Sequence, residues 1–111
     1  MKYLLLMYGE AGSAEDERRR EHARDEASGA GEWVDGAAVA HPALARTVRV
    51  RGGAVDTIAG PYLDTAGPLT GFWLVDCEDA DRAVELAARL PEARAAAVEV
   101  RPLMGASGLE M

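Results

Sequence analysis

Two segments of this 111-residue chain have the pattern of strands that are apolar on both faces. Residues 2–8 carry Tyr3, Leu5 and Met7 on one face and Leu4, Leu6 and Tyr8 on the other. Residues 71–77 likewise alternate Phe72 and Leu74 with Trp73 and Val75. Because successive side chains of a strand point to opposite sides of a sheet, both segments need cover on both sides.

Two segments with helical patterns supply cover for one side. The first opens at Ser13, which forms a capping box with Asp16. Its apolar stripe is made only of alanines, Ala23, Ala27 and Ala30. The second opens at Asp79 and stops at Pro91. Its predicted inner face carries Ala83, Val84, Ala87 and Leu90.

Further strands complete an α+β pattern. Residues 33–39 and 96–101 form single strands, and residues 46–51 and 54–58 form a hairpin around Gly52-Gly53. The order strand, helix, strand, hairpin, strand, helix, strand predicts an antiparallel sheet with both helices on one face. Two helices leave the other apolar face uncovered, so we predict a homodimer that pairs through its sheet faces.

Length and charge limit the class of protein. The chain is long enough for one domain, which we assign to residues 1–104, followed by a tail at 105–111. The formal net charge is -7, from 19 acidic and 12 basic residues, and the basic run Arg18-Arg19-Arg20 is flanked by acids, which indicates a solvated helix face. We therefore expect no nucleic-acid partner, because phosphate binding needs a basic patch. No segment approaches the ~20 apolar residues of a membrane span and no signal peptide is apparent, so we expect a cytoplasmic protein without membrane contact.

The loop before the second apolar strand is stiffened by two Gly-Pro steps, Gly60-Pro61 and Gly67-Pro68. A stiff loop that enters a central strand is suited to form a pocket wall, since binding residues concentrate on loops held by a rigid scaffold. This loop offers the phenol of Tyr62 and the carboxylate of Asp64 to a ligand.

Three parts of the sequence resemble the YCII-related family, in the branch known for its Asp-Gly-Pro-Phe motif. They are the opening Met-Lys-Tyr-Leu-Leu-Leu-Met-Tyr-Gly at 1–9, the Thr-Val-Arg-Val at 47–50 with Gly60-Pro61-Tyr62, and the Gly-Phe-Trp-Leu-Val-Asp at 71–76 with Val98-Glu99-Val100-Arg101-Pro102. The resemblance covers nearly the whole chain. It implies a ferredoxin-like fold, βαβ(ββ)βαβ, that pairs as a dimeric α+β barrel.

The chain also departs from the family pattern. Ala59-Gly60-Pro61-Tyr62 stands where the motif has Asp-Gly-Pro-Phe. The naming members of the family pair a histidine of the first helix with an aspartate near the end of the second, as a proposed acid–base couple. Here His22 lies in the first helix, but residues 89–91 offer no acid, so the couple does not transfer intact.

Residue type and position nominate candidates for two roles. The acid–base candidates are His22, His41, Asp64 and Tyr8. The ligand-binding candidates are Glu10, Tyr62, Trp73 and Arg49. Solvated surface positions remain the alternative for both histidines, and the core or a dimer interface is the alternative for Trp73. The single Cys77 is expected to be a buried, unreactive thiol.

Two functions remain open from the sequence. The first is a small-molecule-binding protein with cofactor-free proton chemistry, as a lyase, isomerase or cyclase. The second is a non-catalytic dimeric accessory or regulatory protein, since the motif branch is often encoded beside sigma factors. Two widely spaced histidines make a poor metal site and no glycine-rich loop has phosphate-binding form, so no metal or cofactor is expected. Convergence of a histidine with Tyr8 and Asp64 on one cavity would favour the enzyme.

Overall fold

The structure, a computed structural model, describes residues 1–63 and 67–105. In chain order its elements are β1 (Lys2–Tyr8), α1 (Ala14–Gly29), β2 (Trp33–Ala38), a 3₁₀ turn (Pro42–Leu44), β3 (Arg46–Arg51), β4 (Ala54–Ala59), β5 (Leu69–Asp76), α2 (Ala80–Arg89), α3 (Glu92–Ala95) and β6 (Ala97–Pro102). Residues 106–111 of the predicted tail lie outside the described residues.

Four strands form the main sheet, in the order β2-β5-β1-β6, and every neighbouring pair is antiparallel. This arrangement confirms the predicted α+β, ferredoxin-like fold. The short helix α3 is an addition that the sequence pattern did not predict. Within residues 1–63 and 67–105, no helix is long and apolar enough to cross a membrane.

The two faces of the main sheet differ in burial. The face toward the helices is the core, and it carries Tyr3, Leu5, Met7, Trp73 and Val75. On the opposite face, Leu4 pairs with Leu74 and Leu6 pairs with Phe72, and these four side chains stay partly exposed. We call the surface formed by Leu4, Leu6, Phe72 and Leu74 the open face. The alternation in β1 and β5 thus places half of their apolar side chains in the core and half on the open face.

Helix α1 begins as the sequence predicts. Ser13 Oγ accepts a hydrogen bond from the Asp16 N–H at 3.0 Å, and Asp16 Oδ2 accepts one from the Ser13 N–H at 3.1 Å. Ala23 and Ala27 of the predicted alanine stripe are buried. The prediction for Ala30 was wrong, because the helix has ended there and this residue is its exposed C-terminal cap.

Helix α2 buries a face slightly rotated from the predicted one. Ala83, Ala87 and Leu90 are buried as expected, and Leu86 joins them. The prediction for Val84 was wrong, since this side chain is 53% exposed. Leu86 follows Ala83 at i+3 and therefore shares its side of the helix, whereas Val84 points away.

An ionic cluster ties α1 to α2 and to the residues before β2. The Arg82 guanidinium donates to Glu32 at 2.8 Å and to Glu26 at 3.1 Å, and Arg89 donates to Glu26 at 2.7 Å. The hydrogen bond from Arg89 lowers the pKa of Glu26. This contribution to stability is therefore present at neutral pH and is lost as the pH falls through the lowered pKa. These contacts hold a helix that buries only two alanines.

The hairpin forms a sheet of its own. Strands β3 and β4 pair only with each other, around the predicted Gly52-Gly53 turn, whose glycines have positive φ of 56° and 80°. Every residue of β4 is exposed. The apolar side chains Val48, Val50 and Val55 are 60%, 63% and 70% exposed. The hairpin therefore adds no strand to the main sheet. The apolar side of the hairpin is left exposed by the described residues.

Candidate functional site

A cleft of about 730 Å³ lies between α1 and the half of the main sheet formed by β2 and β5. Its apolar lining includes Met7, Trp33, Ala37, Ala38 and Trp73. Its charged lining consists of Glu10, Glu17, Arg20, Glu21, Arg24 and Glu92. We call it the α1–sheet cleft. A volume in this range, with apolar walls and a few convergent polar groups, is typical of small-molecule sites.

Two tryptophans form the aromatic wall of the cleft. Trp33 and Trp73 meet edge to face, with ring centroids 4.9 Å apart and ring planes at 87°. The contact requires a glycine at position 36, because a Cβ there would lie 2.6 Å from Trp33 and 2.7 Å from Trp73. The guanidinium of Arg24 covers the Trp33 ring, 4.5 Å from its centroid, in a cation–π contact. Gly36 therefore allows the close packing on which this wall depends.

An ion pair between α1 and α3 organises the charged wall. Arg20 donates to Glu92 Oε2 at 2.5 Å, to the Ala11 carbonyl at 2.7 Å and to Glu17 Oε2 at 2.8 Å. Desolvation lowers the pKa of Arg20, but the hydrogen bond and the charge of Glu92 outweigh it and raise that pKa above its ordinary value. Arg20 therefore stays charged, and three acceptors fix its position.

Glu92 is the buried charged side chain of the described part of the chain, at 2% exposure. Its Oε2 accepts the bond from Arg20, but its Oε1 is buried and has no hydrogen-bond partner among residues 1–63 and 67–105. A buried polar atom without a partner costs about 1–3 kcal/mol, and more when it is charged. Glu92 can therefore accept one further hydrogen bond through Oε1.

The structure brings two of the sequence-predicted site residues to this cleft. Trp73 lines it as a buried side chain, and Glu10 lines it as an exposed one. Tyr8 lies instead on the opposite side of the sheet, because it alternates with the buried Met7 along β1. The phenol of Tyr8 is therefore separated from the cleft by the sheet.

Both histidines lie away from the cleft. His22 is exposed and borders a second groove, and the carboxylate of Glu26, four residues further along α1, is engaged by Arg89. His41 is exposed, and its Nδ1 accepts a hydrogen bond from the Ala43 N–H at 3.0 Å, which caps the 3₁₀ turn. The described structure therefore does not bring either histidine together with Tyr8 in one cavity.

The stiff loop places its candidates elsewhere. Tyr62 is 68% exposed, and its ring lies 5.9 Å from the Arg49 guanidinium on the hairpin. Asp64 lies outside the described residues. The end of the loop is anchored to β1, since the Gly9 N–H donates to the Pro68 carbonyl at 2.8 Å. Roles for Tyr62, Arg49 and Asp64 in binding or catalysis stay predictions.

Among the cleft residues that the sequence candidates did not include are the four that form its aromatic and ionic contacts, Arg20, Arg24, Trp33 and Glu92. The acid-flanked arginine run indicates a solvated face, yet Arg20 is partly buried by its contacts with α3. The family pattern has an acid near the end of α2, at about residues 89–91 of this chain, and Glu92 lies one position further along. The signal that could have found it is the apolar pair Leu90-Pro91 directly before it, which indicates a buried chain at this point.

The described residues offer no activated thiol and no metal cluster. Burial raises the pKa of Cys77 to about 11, and the thiol is 3% exposed. The predicted burial of this cysteine is therefore confirmed, and the raised pKa disfavours the reactive thiolate. No group of three or more His, Cys, Asp and Glu side chains is placed to hold a metal ion within residues 1–63 and 67–105.

We expect Gly36→Ala to disrupt the tryptophan pair. The added methyl group would overlap both indole rings and lie 2.9 Å from the Phe72 carbonyl, and such overpacking costs about 1–3 kcal/mol. The chain has two tryptophans, so its near-ultraviolet circular dichroism reports on this pair. Gly29→Ala is the control, because a Cβ there meets nothing within 4 Å. An unchanged near-ultraviolet spectrum for Gly36→Ala would contradict the packing described.

Fold and cleft together define a small α+β domain of ferredoxin-like topology with a cleft between helix and sheet. Comparison with known families then assigns it. The sequence model of the YCII-related domain matches residues 1–107, nearly the full length of the chain. The chain therefore belongs to the YCII-related family, as its motifs predict. A search of curated proteins gave no significant match.

Proposed function

We propose that this YCII-related domain binds a small organic molecule in the α1–sheet cleft and works as a homodimer. One observation carries the proposal: a cleft of about 730 Å³ combines an aromatic wall with a buried carboxylate that has an unused acceptor. Burial of apolar surface supplies affinity, and a few convergent polar groups supply orientation. The groove beside His22 is lined mainly by charged side chains and offers neither feature.

Any catalysis in this cleft would be proton transfer, as in a lyase, isomerase or cyclase. Glu92 is the group placed to exchange a proton there, since it lines the cleft and its Oε1 has no hydrogen-bond partner among residues 1–63 and 67–105. It takes the place of the histidines, which lie on other surfaces of the described structure. The proposal thus keeps the acid–base chemistry predicted from the sequence and assigns it to a different residue.

Support for the homodimer comes from the open face. Leu4, Leu6, Phe72 and Leu74 lie side by side on the two central strands, and no helix within residues 1–63 and 67–105 covers them. Contiguous apolar surface of this kind is typical of protein interfaces. Two copies related by a two-fold axis would each cover the open face of the other.

A non-catalytic dimeric accessory protein is the second candidate. It is favoured by the exposure of His22 and His41, neither of which lines the cleft. The two candidates differ in one testable respect, which is whether a small molecule enters the α1–sheet cleft.

Binding of aromatic fragments, followed by NMR, separates the two candidates. We expect fragments to shift the indole N–H signals of Trp33 and Trp73, and we expect Ala38→Phe to abolish the shifts because its ring fills part of the cleft. Ala88→Phe is the matched control, since Ala88 is exposed and borders the other groove. A folded protein whose indole signals respond to no fragment would favour the accessory role.

A further inference from the structure

The first observation is a hydrogen-bond acceptor in the cleft wall that lacks a partner. Glu92 Oε1 makes no hydrogen bond to any residue within 1–63 and 67–105, although the side chain is buried. Bulk solvent does not reach this oxygen, so its missing bond comes either from an ordered water or from a group that enters the cleft. A donor in the cleft therefore reaches Oε1 only when the groups that cover this oxygen move aside.

Three N–H groups of Arg20, the residue that binds Glu92, already donate hydrogen bonds. Arg20 donates to Glu92, to Glu17 and to the Ala11 carbonyl, and its side chain is 22% exposed. Both N–H groups of Nη2 and one of Nη1 are therefore engaged, and an anionic ligand that bound Nη2 would have to displace a bond of a partly buried charge, which is costly. Next to Glu92, the wall thus presents the acceptor Oε1 and no free donor of Nη2.

The net charge of the cleft lining also disfavours an anionic ligand. Four carboxylates and two guanidinium groups line the cleft: Glu10, Glu17, Glu21 and Glu92 with Arg20 and Arg24. Clefts lined by an excess of one sign of charge concentrate ligands of the opposite sign. The surplus of negative charge disfavours anions and favours neutral or cationic molecules.

The aromatic wall favours a flat ligand. The Trp33 and Trp73 rings are in direct edge-to-face contact at 87°, so a flat ligand ring packs against the outer side of this pair, face-on or edge-on to an indole. Both arrangements are favourable for aromatic rings. The small side chain of Ala38 on β2, on the same face of the sheet as Trp73, leaves room beside the indoles.

From these observations we infer that the cleft selects a planar apolar molecule bearing a neutral or cationic hydrogen-bond donor, a hydroxyl or an amine, which binds Glu92 Oε1. The inference rests on the proposed function and names the ligand chemistry of the same site. Glu92 is the specificity-determining residue, and the two tryptophans hold the apolar body of the ligand.

Three probes of similar shape test this selection: naphthol, which has a donor, methoxynaphthalene, in which the donor is methylated, and naphthoate, which is an anion. Their dissociation constants are measured from the Trp33 and Trp73 indole signals of the full chain. We expect naphthol to bind at least about tenfold more tightly than methoxynaphthalene, and naphthoate to bind most weakly, because a buried acceptor left without a donor is penalised.

Glu92→Gln assigns the preference to this carboxyl group. Its amide keeps the shape, and with the amide oxygen facing the Arg20 donor the NH₂ group, a donor, takes the position of Oε1, so we expect the preference for naphthol over methoxynaphthalene to fall below about threefold. Glu21→Gln, which neutralises an exposed carboxylate of the same cleft, is expected to keep the full preference. If Glu92→Gln does not fold, the three probes on the unaltered chain still decide the matter.

The outcomes separate this inference from the proposed function. Equal affinities of naphthol and methoxynaphthalene at the indoles would overturn the inference and leave small-molecule binding in place. This is also the result expected if an ordered water satisfies Oε1. Tighter binding of naphthoate would overturn the inference as well. If no probe shifts either indole signal, both the inference and the proposed function fail.

Discussion

Replacement of Leu5 by glutamate is expected to unfold the chain. Leu5 is 0% exposed and lies in β1, one of the two central strands of the main sheet. The substitution loses about 2–5 kcal/mol of packing free energy, on the scale of large-to-small core changes. It also buries a carboxylate without a partner, which costs several kcal/mol more. The sum is comparable with the whole stability of a small domain, about 5–15 kcal/mol.

Far-ultraviolet circular dichroism and urea denaturation measure this effect. Leu44→Glu is the matched control, because Leu44 is 74% exposed in the 3₁₀ turn and should tolerate the same charge. A Leu5→Glu protein that unfolds cooperatively, with a urea midpoint near that of the unaltered chain, would show that this face of β1 does not form the core.

The sequence pattern was sufficient to predict both central strands, but it could not distinguish their faces. Period-2 alternation places Leu5 and Leu74 among apolar side chains in either orientation, since both strands are apolar on both faces. The face that meets the helices is decided by long-range packing. Trp73 and Val75 belong to the core on the helix side of the sheet, which turns Leu74 to the open face.

The candidate site was only partly predictable for a related reason. Trp73 and Glu10 were found because an apolar strand and a strand end are local signals. Arg20 and Glu92 are 72 positions apart in the sequence, so no short-range pattern predicts their ion pair. His22 was favoured by its residue type, but the burial of its neighbour Ala23 against the fold leaves the imidazole outside.

The second large effect is expected at the open face, where Leu74→Glu should convert the proposed homodimer into a folded monomer. Leu74 lies opposite Leu4 and is partly exposed, so a carboxylate there reaches water in a single chain. In a face-to-face dimer the same group is buried, and two-fold symmetry brings in a second copy of it. We expect the dimer dissociation constant to rise at least about a hundredfold, because like charges brought together at an interface cost several kcal/mol.

Sedimentation velocity measures the change, and circular dichroism verifies that the variant is folded. Val84→Glu is the control, since Val84 is 53% exposed on α2 and lies away from the open face. If the Leu74→Glu protein remains dimeric, the interface lies on another surface, such as the exposed valines of the hairpin. A monomeric unaltered chain would remove the dimer from the proposed function. Loss of folding in Leu5→Glu together with loss of pairing alone in Leu74→Glu would assign the two faces of the sheet, one to the core and one to the partner.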